Sequence, residues 1–381
     1  MYCRSESPDM TVLQVTLRFF RNFKEARLNP SPGTTVLHGL NGAGKTNLVE
    51  AVHLCALGRS HRPVKDQDLI KRGEPEAEAA VQAVRRDGGH EVSVRLSAKG
   101  VKKKQILLNG KPPRRLGEMM GHVTCVIFSP EDLYLVKGNP ACRRRFMDML
   151  LCQQSAGYFY ELQRYIAALN QRNAVLKMTQ GNIAHEAAKM LPVWDEQLVS
   201  AGVTIIEKRT AFTDDLDKLV IDHYRYLSGK ENETLKIRYK ACTEQKAVKA
   251  SLTEGLERAR REDVKRGTTS FGPHREDLVI TLNGREMPLF ASQGQMRTAA
   301  LSLKLSEITS LNRQHGEPPV LLLDDVMSEL DMKRRALLLD FIHHNQTIVT
   351  CTDEADYPPG KTDLSVKIET LADGTACLCI P

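Results

Sequence analysis

Apolar and polar residues alternate from Thr11 to Phe19 (TVLQVTLRF), with β-branched side chains among them, and this period of two predicts a strand. A Pro/Gly turn follows, then a short apolar strand over Thr35–His38, then a glycine-rich loop. In NLVEAVHLCALG the spacing becomes helical, with Leu48, Val52 and Cys55 on one stripe and Gly58 as the stop. Strands are predicted over 78–84 and 91–97, joined through RRDGGH as a hairpin, and over 105–109, ended by Asn109-Gly110. From about 141 to 227 strand signals nearly vanish. Phe146, Met149 and Leu150, then Tyr158, Leu162, Tyr165, Ile166 and Leu169, then Leu198, Ile205 and Ile206 keep helical spacing. This predicts antiparallel helices with their aromatic residues in the core. LKIRYK (235–240) reads as a short strand and KAVKASLTEGLERARREDVKRG as a charged helix. After 267 strands return. DLVITLNG ends in a turn, LFASQGQMRTAALSLKLSE (289–307) feeds a turn into a helix, and PPVLLLDDV holds a buried strand. MKRRALLLDFIHH is helical, QTIVTCT a strand, and 365–380 a final hairpin.

Two mixed strand-and-helix parts thus flank a helical one, and neither looks complete alone. The expected fold is α/β: a nucleotide-binding head split by an inserted helical arm. Residues 1–128 form the first head lobe, 129–266 the arm and 267–381 the remainder of the head. A chain of 381 residues has room for this organisation. No apolar run approaches the ~20 residues needed to span a bilayer, and MYCRSESPDM has no apolar signal region. The expected location is cytoplasmic, without a membrane partner. Nine scattered cysteines without a C-x-x-C pair read as reduced thiols rather than a metal site. The net charge of +7 is uneven: 22 basic against 14 acidic residues give +8 over 1–140, 21 against 17 give +4 over 141–265, and 11 against 16 give −5 beyond. A basic first lobe favours a polyanion such as DNA, against the plainer reading of a solvated face.

GLNGAGKT, Gly39 to Thr46, satisfies the phosphate-loop pattern G-x-x-x-x-G-K-[ST], with a strand before it and a helix after. Gly42 and Gly44 let the backbone of Leu40, Asn41 and Ala43 wrap around phosphates where a Cβ would clash. Lys45 reaches the β- and γ-phosphates, the Thr46 hydroxyl is the expected Mg²⁺ ligand, and Asn47 continues the motif into the helix. Such a loop needs a carboxylate on a neighbouring strand, and VLLLDDVMSELD supplies it. Asp324 ends the buried strand and is placed to hold the metal; Asp325 follows, placed to orient an attacking water. The implied ligands are ATP and Mg²⁺.

The Ser292-Gln293-Gly294-Gln295 turn has two readings. As Ser-x-x-Gln it is a capping box, with Ser292 capping the helix and Gln295 reaching back. As a helix N-terminus it can hold a phosphate. The order of turn, helix, acidic strand and SELD resembles ABC-type ATPases, in which this turn corresponds to the signature motif and Ser328, Glu329, Leu330 and Asp331 to the D-loop. That resemblance implies both readings at once: a capped helix end that closes in trans on the γ-phosphate held by a second subunit.

Several further stretches resemble the RecF family of bacterial DNA replication and repair ATPases. They are PEDLYLVKGNPACRRRFMD (130–148), LLLDDVMSELDMKRRALL, FRNFKEARL, ALGRSHR, LNQRNAVLK and GPHREDL (272–278). The resemblance runs from about Met10 to the end. It implies an ABC-like, SMC-like head with a helical arm, and an ATP-dependent homodimer that binds junctions of single- and double-stranded DNA at gaps. It also implies partnership with RecO and RecR in loading RecA, with slow hydrolysis as a reset. The chain departs from the wider ABC pattern at Asp325, where a Glu is usual. It departs again at Ser129-Pro130-Glu131 in place of a Gln, and after TIVTCTD, where no His follows and Thr350 or Thr352 is the candidate stand-in. Met1 to Ser7 extend beyond the family start, with Met10 as a possible initiator.

Candidate DNA contacts are Lys102, Lys103, Lys104, Lys111, Arg114 and Arg115 in KKKQILLNGKPPRR, with Arg59, Arg62 and Arg143–Arg145 as weaker ones. Arg62 also fits a contact to the nucleotide, and Arg143–Arg145 a pairing with acids of the arm. The rival functions are a transporter-type ABC ATPase, another SMC-like repair ATPase, and a scaffold with a relic phosphate loop. The long helical insertion speaks against the first, and intact Lys45, Thr46 and Asp324 against the last.

Overall fold

A computed structural model describes residues 9–99, 103–183, 185–358 and 360–380. The chain forms two compact units: the described residues up to Asp132 together with those from Glu307 on, and Leu133–Ser306. In chain order, the first unit begins with strands β1 (Thr11–Arg18), β2 (Glu25–Leu28) and β3 (Thr34–His38), then helix α1 (Lys45–Leu57). It continues with β4 (Glu76–Arg85), β5 (Gly88–Ser97), β6 (Lys104–Leu108) and β7 (Cys125–Phe128). The second unit holds α2 (Leu133–Lys137), α3 (Pro140–Gln154), α4 (Ala156–Met178), α5 (Leu191–Ser228), β8 (Leu235–Lys240) and α6 (Val248–Arg266). It goes on with β9 (Asp277–Leu282), β10 (Arg285–Glu286), α7 (Met287–Phe290) and the first part of α8 (Gln293–His315). The chain then returns to the first unit with β11 (Val320–Asp324), α9 (Met332–Ile342), β12 (Thr347–Cys351), β13 (Leu364–Thr370) and β14 (Ala376–Cys379).

The first unit is built of two sheets. One is antiparallel in the order β2-β1-β4-β5-β6; the other runs β14-β13-β3-β12-β11-β7, parallel from β13 to β7 and antiparallel at β14. Helix α1 touches strands of both sheets. It is apolar nearly all round, and 11 of its 13 residues are buried, which is what a helix packed on two sides requires. Gly58 ends it in the left-handed conformation, φ +67°. The sheets are also joined by one buried amide. Gln346 accepts Val12 N–H at 2.7 Å and donates to the carbonyls of Val12 and Ser31 at 2.9 Å each. The β4–β5 turn is tighter than the sequence suggests, with only Arg86 and Asp87 between paired Arg85 and Gly88.

In the second unit α4 and α5 run antiparallel. Arg172 near the end of α4 pairs with Asp195 at the start of α5, Tyr165 packs at Gly202, and Tyr158 at the start of α4 meets Arg209 further along α5. The expected aromatic core is present in Tyr158 and Tyr165, but Ile166 lies on the exposed face. Two buried arginines fix the packing. Arg172 also binds Asp263 of α6 and Thr269, and Arg209 binds Asp148 of α3 and the Pro273 carbonyl. Removing one partner of such a buried pair costs about 3–5 kcal/mol, so these contacts set helix register. The expected boundary at 266/267 falls elsewhere: the second unit extends to Ser306. The physical reason is the non-local pairing of β9 with β8, which draws 277–282 into this unit.

His274 gives this unit a pH dependence. The Thr269 carbonyl can only accept, so Nε2 carries the proton (3.0 Å) and Nδ1 accepts the Tyr165 hydroxyl (2.7 Å). Burial pushes the pKa of this neutral ring down to about 4. The folded value lies below the unfolded one, so the contribution is complete above the ordinary histidine pKa and is lost as pH falls towards 4. Denaturant unfolding at pH 7.5 and 4.5 is expected to show about 2–3 kcal/mol of acid destabilisation that a His274→Gln variant lacks. Equal losses in both proteins would contradict this assignment.

Candidate functional site

Ligands bind beyond the carboxyl ends of parallel strands, and three such ends meet here. In one row of the sheet Thr350 of β12 lies between Leu37 of β3 and Asp324 of β11. β3 runs into the Gly39–Thr46 loop, and α1 starts at Lys45. Gly44 has φ +120°, and a Cβ there would lie 2.8 Å from Asn22 Oδ1. Gly42 has φ +83°, and no protein atom lies within 4 Å of its would-be Cβ, which leaves that side of the loop open. The buried Lys45 ammonium donates to the carbonyls of Gly39 (2.6 Å) and Leu40 (3.0 Å). Desolvation lowers its pKa, while Asp325, Cys351 and Asp324 pull it back up.

The two acids differ in kind. Asp324 is buried, and its Oδ1 accepts the hydroxyls of Thr46 (2.7 Å) and Thr350 (2.9 Å). Burial raises its pKa; the two hydroxyls and the Arg62 charge work against this, and Glu131 adds to it. Asp325 is exposed, in the left-handed region at φ +55°, and its N–H donates to Thr350 Oγ1 at 3.0 Å. Thr350 therefore ties both acids to β12 through one hydroxyl. Of the two residues considered as stand-ins for the missing histidine, Thr350 is the one between the acids, while the Thr352 carbonyl accepts Gly39 N–H at 3.2 Å.

Thr46 and Asp324 together suit a hard divalent cation. No group of three or more His, Cys, Asp or Glu able to hold a metal occurs among the described residues. Mg²⁺ carried by phosphates and water needs only one or two protein oxygens, and this pair provides them.

Part of the site was not readable from the motifs. Asn22 clamps the loop: its Nδ2 donates to Ala43 O (3.0 Å) and Gly42 O (3.4 Å), and its Oδ1 accepts from Asn47 (2.9 Å). Behind α1, fully buried Glu50 receives Arg21 through two bonds of 2.8 and 2.9 Å and the Ser60 hydroxyl. Ser60 Oγ in turn accepts Arg62 N–H at 3.0 Å, which shapes the segment carrying Arg59 and Arg62. The charge of Arg62 acts on Asp324, which favours the nucleotide-side reading of that arginine. Asn22 and Arg21 lie in FRNFKEARL and Ser60 in ALGRSHR, so the only sequence signal was their membership of those stretches.

The Ser292 capping box is present in full. Gln295 Oε1 accepts Ser292 N–H at 2.9 Å, and Ser292 Oγ accepts Gln295 N–H at 3.2 Å. Ser292 and Gln293 are exposed, and Gly294 and Gln295 are half-buried in the first turn of α8. In the SELD segment the Ser328 hydroxyl donates to the Asp325 carbonyl (2.9 Å), and Asp331 caps α9 by accepting Arg334 N–H (2.9 Å). Glu329 and Leu330 lie between them in a short turn. Arg143 pairs with Asp277 through two bonds of 2.8 Å, and Arg144 donates to the Glu276 carbonyl; these partners lie beyond the expected arm boundary at 266 but inside the second unit.

The basic segment is reduced. Lys104 is held by Asp66 at 3.1 Å, so its charge is already matched. Lys102 lies outside the described residues. Lys103, Lys111, Arg114, Arg115 and Arg59 are exposed. Elsewhere on the same sheet Glu25, Arg18, Glu78 and Arg95 stand opposite one another in sequence across β2, β1, β4 and β5, which neutralises that row.

Comparison with known proteins shows the family and the fold. The family model described as RecF/RecN/SMC N terminal domain matches residues 11–370. The chain is 42% identical over 343 residues to the DNA replication and repair protein RecF of Lachnoclostridium phytofermentans, covering 90% of this chain and 93% of that one. A solved structure of the recombination mediator protein RecF with ATP, in the RecFOR pathway, superposes with a TM-score of 0.88 at 33% identity, over 99% of this chain and 100% of that one. The Smc head domain from Pyrococcus furiosus, with an extended coiled coil and bound to the C-terminal domain of ScpA, matches at 0.54 and 16% identity over 97% and 96%, a likeness of fold.

The Asn22 clamp predicts a measurable loss. Asn22→Ala removes the bonds that shape the loop around Ala43, and binding of a fluorescent nucleoside triphosphate should weaken about tenfold. Unchanged affinity would show that the loop keeps its shape without the clamp.

Proposed function

Because this chain belongs to the RecF family of DNA replication and repair ATPases, we propose that it is an ATP-driven dimer that binds DNA at gaps. Two nucleotides lie between two copies of the chain. Each is held by the Gly39–Thr46 loop of one copy and met by the Ser292–Gln295 turn of the other. The observation that carries this reading is the reciprocal capping box. Ser292 Oγ accepts from its own helix, which leaves its exposed hydroxyl proton for a phosphate oxygen outside the chain.

In each half-site Lys45 neutralises the β- and γ-phosphates, and the loop amides receive their oxygens. Bound Mg²⁺ would supply Lewis-acid withdrawal of charge from the phosphates. Thr46 and Asp324 are the residues placed to hold it. Asp325 orients the attacking water and accepts its proton. Its carboxylate is one methylene shorter than the usual Glu, which accords with slow turnover that resets the dimer. Thr350 keeps Asp324 and Asp325 in register.

The partner of the dimer is DNA, engaged at junctions of single and double strands in gapped duplex, and the wider assembly is that of RecO and RecR loading RecA. The exposed Lys103, Lys111 and Arg114 supply phosphate contacts; Lys104 contributes none of its own. No helix among the described residues is long and apolar enough to cross a membrane.

Two experiments test this. Ser292→Arg should keep nucleotide uptake by the monomer and abolish ATP-dependent dimerisation in sedimentation; normal dimers would refute the trans contact. Reversing Lys103, Lys111 and Arg114 to Glu should weaken binding to gapped duplex. It should also shrink the slope of log affinity against log salt by roughly 3, one unit for each phosphate no longer engaged. An unchanged slope would place the DNA elsewhere.

A further inference from the structure

The Ser292 turn is tied to the rest of its unit by one carboxylate. Gln295 uses both ends of its amide: Oε1 accepts Ser292 N–H at 2.9 Å, and Nε2 donates to Glu233 Oε1 at 3.0 Å. Glu233 lies between α5 and β8 and is only 8% exposed. Its other bonds come from Lys230 Nζ to Oε1 (2.7 Å) and the Tyr224 hydroxyl to Oε2 (2.6 Å). Tyr224 belongs to the last turns of α5.

An amide has an acceptor end and a donor end, and the capping box works only with the acceptor end facing Ser292 N–H. Burial by itself raises the pKa of Glu233, but the bonds from Lys230, Tyr224 and Gln295 outweigh it and hold the group below the usual carboxylate range. Glu233 is therefore ionised at neutral pH and can only accept. A flipped Gln295 would set oxygen against this carboxylate and NH₂ against Ser292 N–H, two repulsions in place of two bonds.

We propose that Glu233 is a positioning residue: it locks the Gln295 amide in the capping orientation, holds Ser292 ready for the partner's triphosphate, and links that turn to the C-terminal end of α5. The proposal rests on the trans reading of Ser292 given above. It gives the arm a physical handle on the phosphate contact, because any change at Tyr224 or Lys230 bears on the same carboxylate. Nothing in the motif order points to Glu233, which sits in GKENETL at a separation of 62 residues from Gln295.

The test is sedimentation of the full chain in Mg·ATP, set beside nucleotide titration of the monomer, for Ser292→Arg, Glu233→Ala, Glu233→Gln, Gln295→Ala and the double alanine variant. Glu233→Ala should weaken dimerisation about tenfold more than it weakens nucleotide uptake, the scale of losing a charge-assisted hydrogen bond. Glu233→Gln, which keeps an oxygen for Gln295, should recover most of that loss. In the Gln295→Ala background the Glu233→Ala effect should vanish. Overturning results are normal dimerisation of Glu233→Ala, or the same further loss in the Gln295→Ala background, which would mark a role in folding alone. If Ser292→Arg dimerises normally, the trans reading falls and this proposal with it; if only Glu233→Ala is unaffected, this proposal falls alone.

Discussion

A hydroxyl and a carboxylate separated by 278 residues of sequence meet at 2.7 Å in the bond from Thr46 to Asp324. Much of the first unit exists to make that meeting possible. β3 must deliver the loop, β11 must deliver the acid, and β12 must lie between them to supply the Thr350 hydroxyl to Asp324. Asp324 is buried, and a buried carboxylate without partners is costly. The two hydroxyls offset that cost, and they also aim the carboxylate. The strand order, the burial of α1 and the Gln346 bridge between sheets are the scaffold for this contact.

The second unit solves a different problem. It must present a short helix start, Ser292 to Gln295, in one orientation. Its helices are held by buried arginines with fixed partners, which favours a single packing over many near-equal ones. Glu233 carries that definition to the turn itself. Flexible loops on a soft bundle would leave the Gln295 amide free to flip, and the serine would lose its cap.

Much of this was legible in the chain. The Gly39–Thr46 motif, the five-residue buried strand ending in Asp324 and the Ser-x-x-Gln cap all stand where pattern and spacing put them, because each is a local rule acting on neighbouring residues. What pattern could not show was pairing over distance. Asn22 under the loop, Arg21 on Glu50, Arg143 on Asp277 and Asp66 on Lys104 each join segments whose meeting depends on the whole topology. Lys104 is instructive, since a run of lysines reads as a surface for polyanions until the fold shows that one already has its acid. The boundary after α6 was hidden for the same reason: β9 looks like a strand of the head and pairs instead with β8.

The claim on which the rest turns is that Asp324 is the carboxylate that makes nucleotide binding depend on a divalent cation. Calorimetric titration of ATP with and without Mg²⁺, into the native chain and into Asp324→Asn, tests it directly. The account predicts that Mg²⁺ strengthens binding to the native chain and that Asp324→Asn loses this gain while keeping its metal-free affinity. An Asp324→Asn protein with the full Mg²⁺ gain would contradict it.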